Sequence, residues 1–364
     1  MYNFLKNIKN FIKKNRFLYL KLTSILVTLV RLKDKCIYIL KSPFQFLLRN
    51  RSLFNLNKTS NLNKNIFIFD TRIHSVIFDS VVLLIRGSNF FYNDKWTLII
   101  YEDDNYRYSE KIVTKEIYSN SLINIFLQSL LILPNPPLSI KFINNSHELL
   151  GIIETSNKIF PENYNFLIEK KPYLISDFNQ KDFQNFEKNK PILKTTKFYS
   201  EIFENYLNYR NIKKYITITV RTKSWAAYQW NTDVEDMKLY LNFIKKNDLN
   251  NHDILILPDT QQDVPKEIIN VIEKNNLRYH LFHHGSFSIP MRFLAYSKAS
   301  FNIASTNGPA TILFFMDNNS FFLIKDEKQS EDVQNFVNKF NKKIFLGRKF
   351  IFNSKNNDIL KFND

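Results

Sequence analysis

The chain has 364 residues, which is enough for two domains of ordinary size, each with its own core. Its 44% apolar and 15% aromatic residues exclude an intrinsically disordered protein. Cys36, the single cysteine, excludes an intrachain disulfide and a cysteine-based zinc site, and it favours a reducing, cytosolic compartment.

Most of the net charge of +17 lies in an N-terminal segment, residues 1–60. Residues 1–58 contain nine Lys and four Arg against Asp34, and they therefore carry +12 of that charge. The apolar run 25–30 lies among these basic residues, a pattern typical of an amphipathic element on an anionic membrane surface. A basic helical hairpin packed on the fold is the alternative.

The same segment predicts neither a transmembrane helix nor a cleaved signal peptide. Its longest uncharged apolar stretch, residues 22–30, is far shorter than the roughly 20 residues that span a bilayer. Charged residues interrupt any signal-peptide core, and no small-residue cleavage site follows. No nucleic-acid-binding motif accompanies the charge, so no nucleic-acid partner is expected.

Residues 61–165 are predicted to form a first Rossmann-like domain. Apolar runs predict strands at residues 66–69, 97–101, 138–142 and 149–153, and helical spacing predicts helices at residues 75–85 and 119–133. Strands that alternate with helices indicate a parallel, doubly wound sheet.

After a connection at residues 166–211, residues 212–330 are predicted to form a second Rossmann-like domain, followed by a C-terminal extension, residues 331–364. Five strands are predicted, at residues 215–220, 254–257, 279–282, 301–303 and 321–324. Four helices alternate with them, at residues 234–244, 265–275, 289–297 and 309–316, and a capping box at residues 232–235 introduces the first. The predicted fold class is therefore α/β, with two such domains in tandem.

A small polar turn, Ser305-Thr306-Asn307-Gly308, separates the fourth of these strands from the helix that follows. Small side chains and a glycine let a ligand approach the backbone closely, and the free N–H groups of a helix's first turn favour an anion. The turn therefore predicts a phosphate site. The alternative is an ordinary strand-to-helix turn that binds nothing.

Polar residues after the other strands join this turn, because the carboxyl ends of parallel strands meet at one edge, where ligands bind. Arg221 can clamp phosphate oxygens with two hydrogen bonds, although an ion pair would also explain it. Trp225 can stack on a base or a sugar, and Glu327 can accept ribose hydroxyls. The other candidates at this edge are Lys223, Asn231, Asp233 and His283.

Polar residues also follow the first strand of the first domain. Asp70 and His74 are candidates for a general base that faces the second domain, and Arg72 and Asp79 are candidates for substrate binding. The acidic run 102–104 reads Glu-Asp-Asp and lacks a true Asp-x-Asp, so no metal site is predicted.

Three motifs of the second domain carry a family resemblance: Val220-Arg221, Asn231-Thr232-Asp233 and Ala304-Ser305-Thr306-Asn307-Gly308-Pro309. They resemble bacterial glycosyltransferases of the GT-B architecture, and they are closest to a family linked to surface-polysaccharide synthesis. The resemblance covers residues 212–325, with a fainter match at residues 69–86 that includes Asp70, Arg72 and Asp79.

The resemblance implies two Rossmann-like domains that face each other, with the nucleotide-sugar donor on the second and the saccharide acceptor on the first. It implies no bound metal, and no cofactor beyond the nucleotide-sugar co-substrate. With the basic segment, it predicts a cytoplasmic enzyme, peripheral on the inner face of the cytoplasmic membrane, that acts on a lipid-linked or cell-envelope saccharide. Two alternatives stay open: a polysaccharide pyruvyl transferase-like enzyme on the same scaffold, and a non-catalytic membrane-associated α/β binding protein.

Overall fold

A computed structural model describes residues 64–74, 76, 78–102, 107–108, 111–112, 114–162, 164, 193–222, 231–259, 263–305, 308–325 and 344–348. The predicted basic segment at residues 1–60 lies outside them. Both sheets belong to one compact unit, the described residues of Asn63–Asn144 and Ser156–Asp364, whereas Asn145–Thr155 belongs to a second unit. The domain boundaries drawn from the sequence stay a prediction.

The first sheet has four parallel strands, and a short antiparallel pair lies between the second and third of them along the chain. In chain order the strands are β1 (Asn65–Asp70), β2 (Thr97–Tyr101), the pair β3 (Arg107–Tyr108) and β4 (Lys111–Ile112), β5 (Ser139–Ile143) and β6 (Lys158–Phe160). Their order in the sheet is β5-β2-β1-β6, so β1 is an interior strand. An interior strand of a parallel sheet is covered on both faces, which is why β1 is a continuous apolar run up to Asp70.

Three α-helices accompany this part of the chain. They are α1 (Asp79–Phe90), α2 (Lys115–Ser121), which continues as a π-helical turn (Leu122–Leu127) and a 3₁₀ turn (Leu130–Ile132), and α3 (Ser146–Thr155), which lies in the second unit. The predicted strand at residues 149–153 is wrong, because these residues lie within α3. A short apolar run fits either a strand or a buried helix face, and the buried residues, Leu149 and Ile152, follow helical spacing.

The predicted helix at residues 75–85 begins later, at Asp79, and continues past Gly87 to Phe90. Gly87 does not end the helix. An added Cβ would lie 2.3 Å from a ring carbon of Phe67, so glycine here allows α1 to pack closely on β1. The predicted helix at residues 119–133 begins earlier, at Lys115, because the Thr114 side chain caps it by accepting a hydrogen bond from the backbone N–H of Ile117.

The second sheet has six parallel strands. They are β7 (Tyr215–Val220), β8 (Asp253–Pro258), β9 (Tyr279–Leu281), β10 (Phe301–Ser305), β11 (Ser320–Ile324) and β12 (Ile344–Arg348). Their order in the sheet is β12-β11-β10-β7-β8-β9. The first five were predicted, whereas β12 comes from the predicted C-terminal extension and pairs with β11.

The helices around the second sheet are α4 (Lys197–Tyr209), α5 (Val234–Lys246), α6 (Lys266–Lys274), α7 (His284–Phe287), α8 (Ile289–Lys298) and a 3₁₀ helix (Gly308–Phe315). The prediction of two parallel, Rossmann-like α/β sheets is confirmed by the strand pairings. Every helix within the described ranges is too short or too polar to cross a membrane.

The two sheets share one hydrophobic core. Phe69 and Phe126 of the first part belong to the same buried cluster as Phe203 and Ala295 of the second. The Gln128 side chain adds a polar link, since its Nε2 donates to the carbonyl oxygen of Phe287 at 2.9 Å.

Candidate active site

The strand order of the second sheet marks where a ligand would bind. From β7 the chain first adds β8 and β9 on one side and then β10, β11 and β12 on the other, so the order reverses between β7 and β10. Ligands of open α/β sheets bind at such a switch point, outside the carboxyl ends of the strands. Arg221 and the turn at residues 305–308 directly follow these two neighbouring strands, as the sequence predicts.

Arg221 leaves β7 as a buried residue with 6% of its surface exposed. Its backbone N–H donates to Thr232 Oγ1 at 3.0 Å, and its carbonyl oxygen accepts from the backbone N–H of Thr232 at 2.8 Å. This pair ties the end of β7 to the start of α5. It gives Arg221 a fixed backbone position. The burial of Arg221 argues against a surface ion pair, and an interdomain ion pair stays the alternative to phosphate binding.

The turn after β10 differs from the prediction in one respect. The helix that follows is a 3₁₀ helix from Gly308, where an α-helix was predicted at residues 309–316. The first N–H groups of either helix type lack partners within the helix, so the physical basis for anion binding remains. Ser305 is fully buried at the end of β10, and Thr306 and Asn307 lie outside the described residues.

Gly308 brings the two sheets together at this turn. A Cβ added to Gly308 would lie 2.9 Å from the Cβ of Phe78, which precedes α1. Only glycine permits this close approach. Phe78 is the residue before Asp79, so the start of α1 lies next to the start of the 3₁₀ helix at Gly308.

Asp233 caps α5, and its partner differs from the predicted one. Asp233 Oδ1 accepts from the backbone N–H of Asp236 at 2.8 Å, and Asp236 Oδ2 accepts from the backbone N–H of Asp233 at 2.9 Å. The capping box therefore joins Asp233 to Asp236, where residues 232–235 were predicted. Thr232 does not act as the cap because its hydroxyl accepts from Arg221.

Lys325, the residue after β11, forms a buried ion pair with Asp236 that sequence reasoning missed. Its Nζ donates to Asp236 Oδ2 and, at 2.5 Å, to the carbonyl oxygen of Asn231. The side chains are 2% and 0% exposed. Burial, together with the charge of Asp236, raises the pKa of the neighbouring Tyr240 well above its ordinary value. The ion pair neutralises the charges of Lys325 and Asp236. Asn231 and Asp233 are tied to the same pair, Asn231 through its carbonyl oxygen and Asp233 through the capping box.

Asp70, at the end of β1, is held in a cluster of hydrogen bonds. The Arg72 guanidinium donates to both carboxylate oxygens, at 3.0 Å from Nε to Oδ1 and 2.5 Å from Nη2 to Oδ2. The Tyr164 hydroxyl donates to Oδ2 at 2.8 Å. Asp70 is fully buried, and because both its oxygens accept hydrogen bonds, its carboxylate is already neutralised within the first sheet.

His74 is 4% exposed, and its ring centroid lies 5.5 Å from that of Phe69. Burial lowers the pKa of His74 to about 4, and the negative charge of Asp70 opposes this shift only in part. His74 is therefore a neutral imidazole at physiological pH. Of the two predicted general bases, Asp70 is the one whose carboxylate accepts hydrogen bonds from Arg72 and Tyr164.

The remaining predicted residues are placed as follows. His283 is exposed and precedes α7, and Asp79 is the first residue of α1, with a side chain that is not described. Lys223, Trp225 and Glu327 lie outside the described residues. In the described part of the chain, no three His, Cys, Asp or Glu side chains form a group that could hold a metal ion. The binding and catalytic roles of the predicted residues stay predictions.

Sequence reasoning also missed Arg292, a fully buried arginine of α8. Its guanidinium donates to the carbonyl oxygens of Pro258, the last residue of β8, and of Gly285 in α7. The available signal was a single charged residue within the otherwise apolar stretch Ile289–Tyr296.

No protein-family model matches the chain, and no curated protein matches it in sequence. Among solved structures, a glycosyl transferase family 9 protein from Veillonella parvula DSM 2008 is similar with a TM-score of 0.45 at 8% identity, covering 81% of this chain and 90% of that chain. The E. coli heptosyltransferase WaaC with ADP has a TM-score of 0.37 at 9% identity, covering 78% and 93%. POFUT1 in complex with GDP-fucose has a TM-score of 0.35 at 7% identity, covering 71% and 98%. Because all three TM-scores are below 0.5, the likeness assigns neither a family nor an activity to this chain.

Proposed function

We propose that this protein is a glycosyltransferase that moves a sugar from a nucleotide-sugar donor to a lipid-linked or cell-envelope saccharide. The observation that carries the proposal is the position of Arg221 and of the turn at residues 305–308, which follow two adjacent parallel strands at the switch point of the second sheet. A buried guanidinium and the start of a 3₁₀ helix, each following one of two adjacent strands, suit a diphosphate, both in the bound donor and in the leaving group. Preorganised donors aimed at developing negative charge commonly supply the largest catalytic term.

The first sheet supplies the acceptor side of the proposed reaction. The acceptor oxygen forms a bond to the anomeric carbon of the donor sugar, the bond from that carbon to the diphosphate oxygen breaks, and the hydroxyl proton passes to His74. Two observations support His74 over Asp70. His74 is neutral, and Asp70 already accepts hydrogen bonds from Arg72 and Tyr164. The close approach of Phe78, four residues beyond His74 in sequence, to Gly308 supports this pairing of the two sheets.

The first experiment is a thermal-shift screen with a panel of nucleotide sugars, followed by calorimetry on the best ligand. Arg221→Ala is expected to weaken binding at least about tenfold, since hydrogen bonds to charged groups are worth about 1.5–3 kcal/mol. Arg278→Ala is the matched control, because Arg278 is exposed and pairs with Asp253 at the opposite edge of the second sheet. Unchanged affinity in Arg221→Ala would remove Arg221 from the donor site, and no shift with any nucleotide sugar would favour the non-catalytic binding protein.

The proposal includes a cytoplasmic location, attachment of residues 1–58 to an anionic membrane surface, and catalysis without a metal. The charge of +12 in that segment supports the attachment. Deleting the segment is expected to abolish sedimentation with anionic liposomes, and undiminished sedimentation would refute it. Full activity in excess EDTA is the expected result for the metal-independent reaction.

A further inference from the structure

Arg292 is a buried cation next to the carboxyl ends of the strands of the second sheet. It is fully buried, and its three hydrogen bonds all go to neutral oxygen atoms. Nη2 donates to the carbonyl oxygen of Pro258 at 2.6 Å, Nε donates to that of Gly285 at 2.7 Å, and Nη1 donates to the hydroxyl of Tyr296 at 3.1 Å. A buried charge is costly unless hydrogen bonds satisfy it, so this arrangement fixes the guanidinium and the three acceptors relative to one another.

Tyr296 extends the contacts to the two strands of the switch point. It lies one helical turn after Arg292 on α8, and its hydroxyl lies 2.8 Å from Thr219 Oγ1, two residues before Arg221. The same hydroxyl is 3.5 Å from the carbonyl oxygen of Pro309, the residue after Gly308. One network of hydrogen bonds therefore joins Thr219 of β7 and Pro258 of β8 to Gly285 of α7 and to Pro309 of the 3₁₀ helix after β10.

From this network we infer that Arg292 is a positioning residue for the proposed donor site, acting through Tyr296 on the end of β7 before Arg221 and on the start of the 3₁₀ helix at Gly308. The inference rests on the proposed function. Arg292 does not touch the donor, since its side chain is fully buried. It holds the elements around the proposed donor site. Its positive charge, which none of its neutral hydrogen-bond partners cancels, adds to the electrostatic field at the edge where the diphosphate would bind.

The test uses Tyr296→Phe, which removes the link between Arg292 and the two strands while leaving the shape of the side chain. The matched control is Tyr215→Phe. Tyr215 is also buried, and its hydroxyl also bonds to α8, donating to the carbonyl oxygen of Ala295 at 3.0 Å, but it lies at the amino end of β7. Both variants lose one buried tyrosine hydroxyl, and Tyr296→Phe is expected to lose more stability, because its hydroxyl also accepts from the Arg292 guanidinium. Only Tyr296→Phe is expected to affect the carboxyl edge.

Two measurements separate the variants. The first is calorimetry with UDP, GDP and ADP on the full-length protein, where Tyr296→Phe is expected to bind the preferred diphosphate about five- to tenfold more weakly, and Tyr215→Phe as the native protein does. The second is amide hydrogen exchange without ligand, where peptides covering residues 301–316 are expected to exchange at least about tenfold faster in Tyr296→Phe alone. Arg292→Lys, which keeps the charge and loses the planar fork, is expected to change both quantities in the same direction.

The outcomes distinguish the two proposals. If the native protein binds no diphosphate but exchange at residues 301–316 accelerates only in Tyr296→Phe, Arg292 holds this edge of the sheet in place but positions no donor site, and the proposed function fails. If the native protein binds a diphosphate and Arg221→Ala abolishes this binding, while Tyr296→Phe and Tyr215→Phe behave alike in both measurements, the inference about Arg292 is overturned.

Discussion

Replacing His74 by Gln is expected to remove a specific acid sensitivity from the fold. In the native protein His74 is buried and neutral, and burial lowers its pKa from 6.5 to about 4. In the unfolded chain the same imidazole takes up a proton at the ordinary pKa. Between these two pKa values the unfolded state therefore binds more protons than the folded state, and the free energy of unfolding falls as the pH falls.

The size of the effect follows from the shift. A change from 6.5 to about 4 corresponds to about 3 kcal/mol, because each pKa unit is worth about 1.4 kcal/mol. The loss begins as the pH falls below the unfolded pKa and is complete below the folded one. A glutamine has no such titration, so His74→Gln is expected to show a flatter stability profile across this window, even if it is less stable than the native protein near neutral pH.

The assay is urea unfolding followed by fluorescence at a series of pH values, with the difference between native protein and variant plotted against pH. Subtracting the two profiles removes the carboxylates that titrate in the same range. His147→Gln is the control, because His147 is exposed on α3. If the profiles of the native protein and His74→Gln run parallel between pH 6.5 and about 4, the imidazole is not buried in its neutral form, and the reasoning on His74 is refuted.

Two further predictions concern the second sheet. Lys325→Met is expected to lower the free energy of unfolding by about 3–5 kcal/mol, because it leaves the Asp236 carboxylate buried without its cation. In urea unfolding, adding Asp236→Asn to this variant is expected to restore part of the lost stability. No restoration would show that the broken ion pair is not the cause of the loss. Gly308→Ala is expected to cost about 1–3 kcal/mol through its contact with the Cβ of Phe78, and combining it with Phe78→Ala should bring no rescue, since alanine keeps that Cβ. Rescue in the double-mutant cycle would place the clash on the phenyl ring instead.

The second sheet could be predicted from sequence because its strands are short apolar runs between turn residues. β12 could not, since Ile344–Arg348 includes an exposed Phe345 and a terminal Arg348, and an edge strand needs no continuous apolar run. The segment at residues 149–153 was mistaken for a strand for a related reason. Two pairs of apolar residues around Gly151 fit two structures, and the tertiary contacts that decide between them are not local.

The candidate site divides in the same way. Arg221 and the turn at residues 305–308 were predicted as neighbours, because the rule for the carboxyl ends of parallel strands needs only the strand pattern. The Lys325–Asp236 pair was not, since it joins residues 89 positions apart and no local pattern announces it. Arg292 was missed because a single charged residue in an apolar helix is ordinarily predicted to be exposed to solvent.

The distribution of buried charge gives an independent reason to place function at this edge. In the described part of the second sheet and its helices, the buried charged residues are Arg221, Asp236, Asp259, Arg292 and Lys325. Arg221, Asp259 and Lys325 each follow the end of a strand. Asp236 lies in the first turn of α5, and Arg292 donates to the carbonyl oxygen of Pro258 at the end of β8, so all five lie at the carboxyl edge. Burying charge costs free energy that an apolar residue would avoid, and a fold without a ligand has no reason to concentrate that cost at one edge. Of these five described residues three are cations and two are carboxylates, a balance that suits an anionic ligand such as the proposed diphosphate.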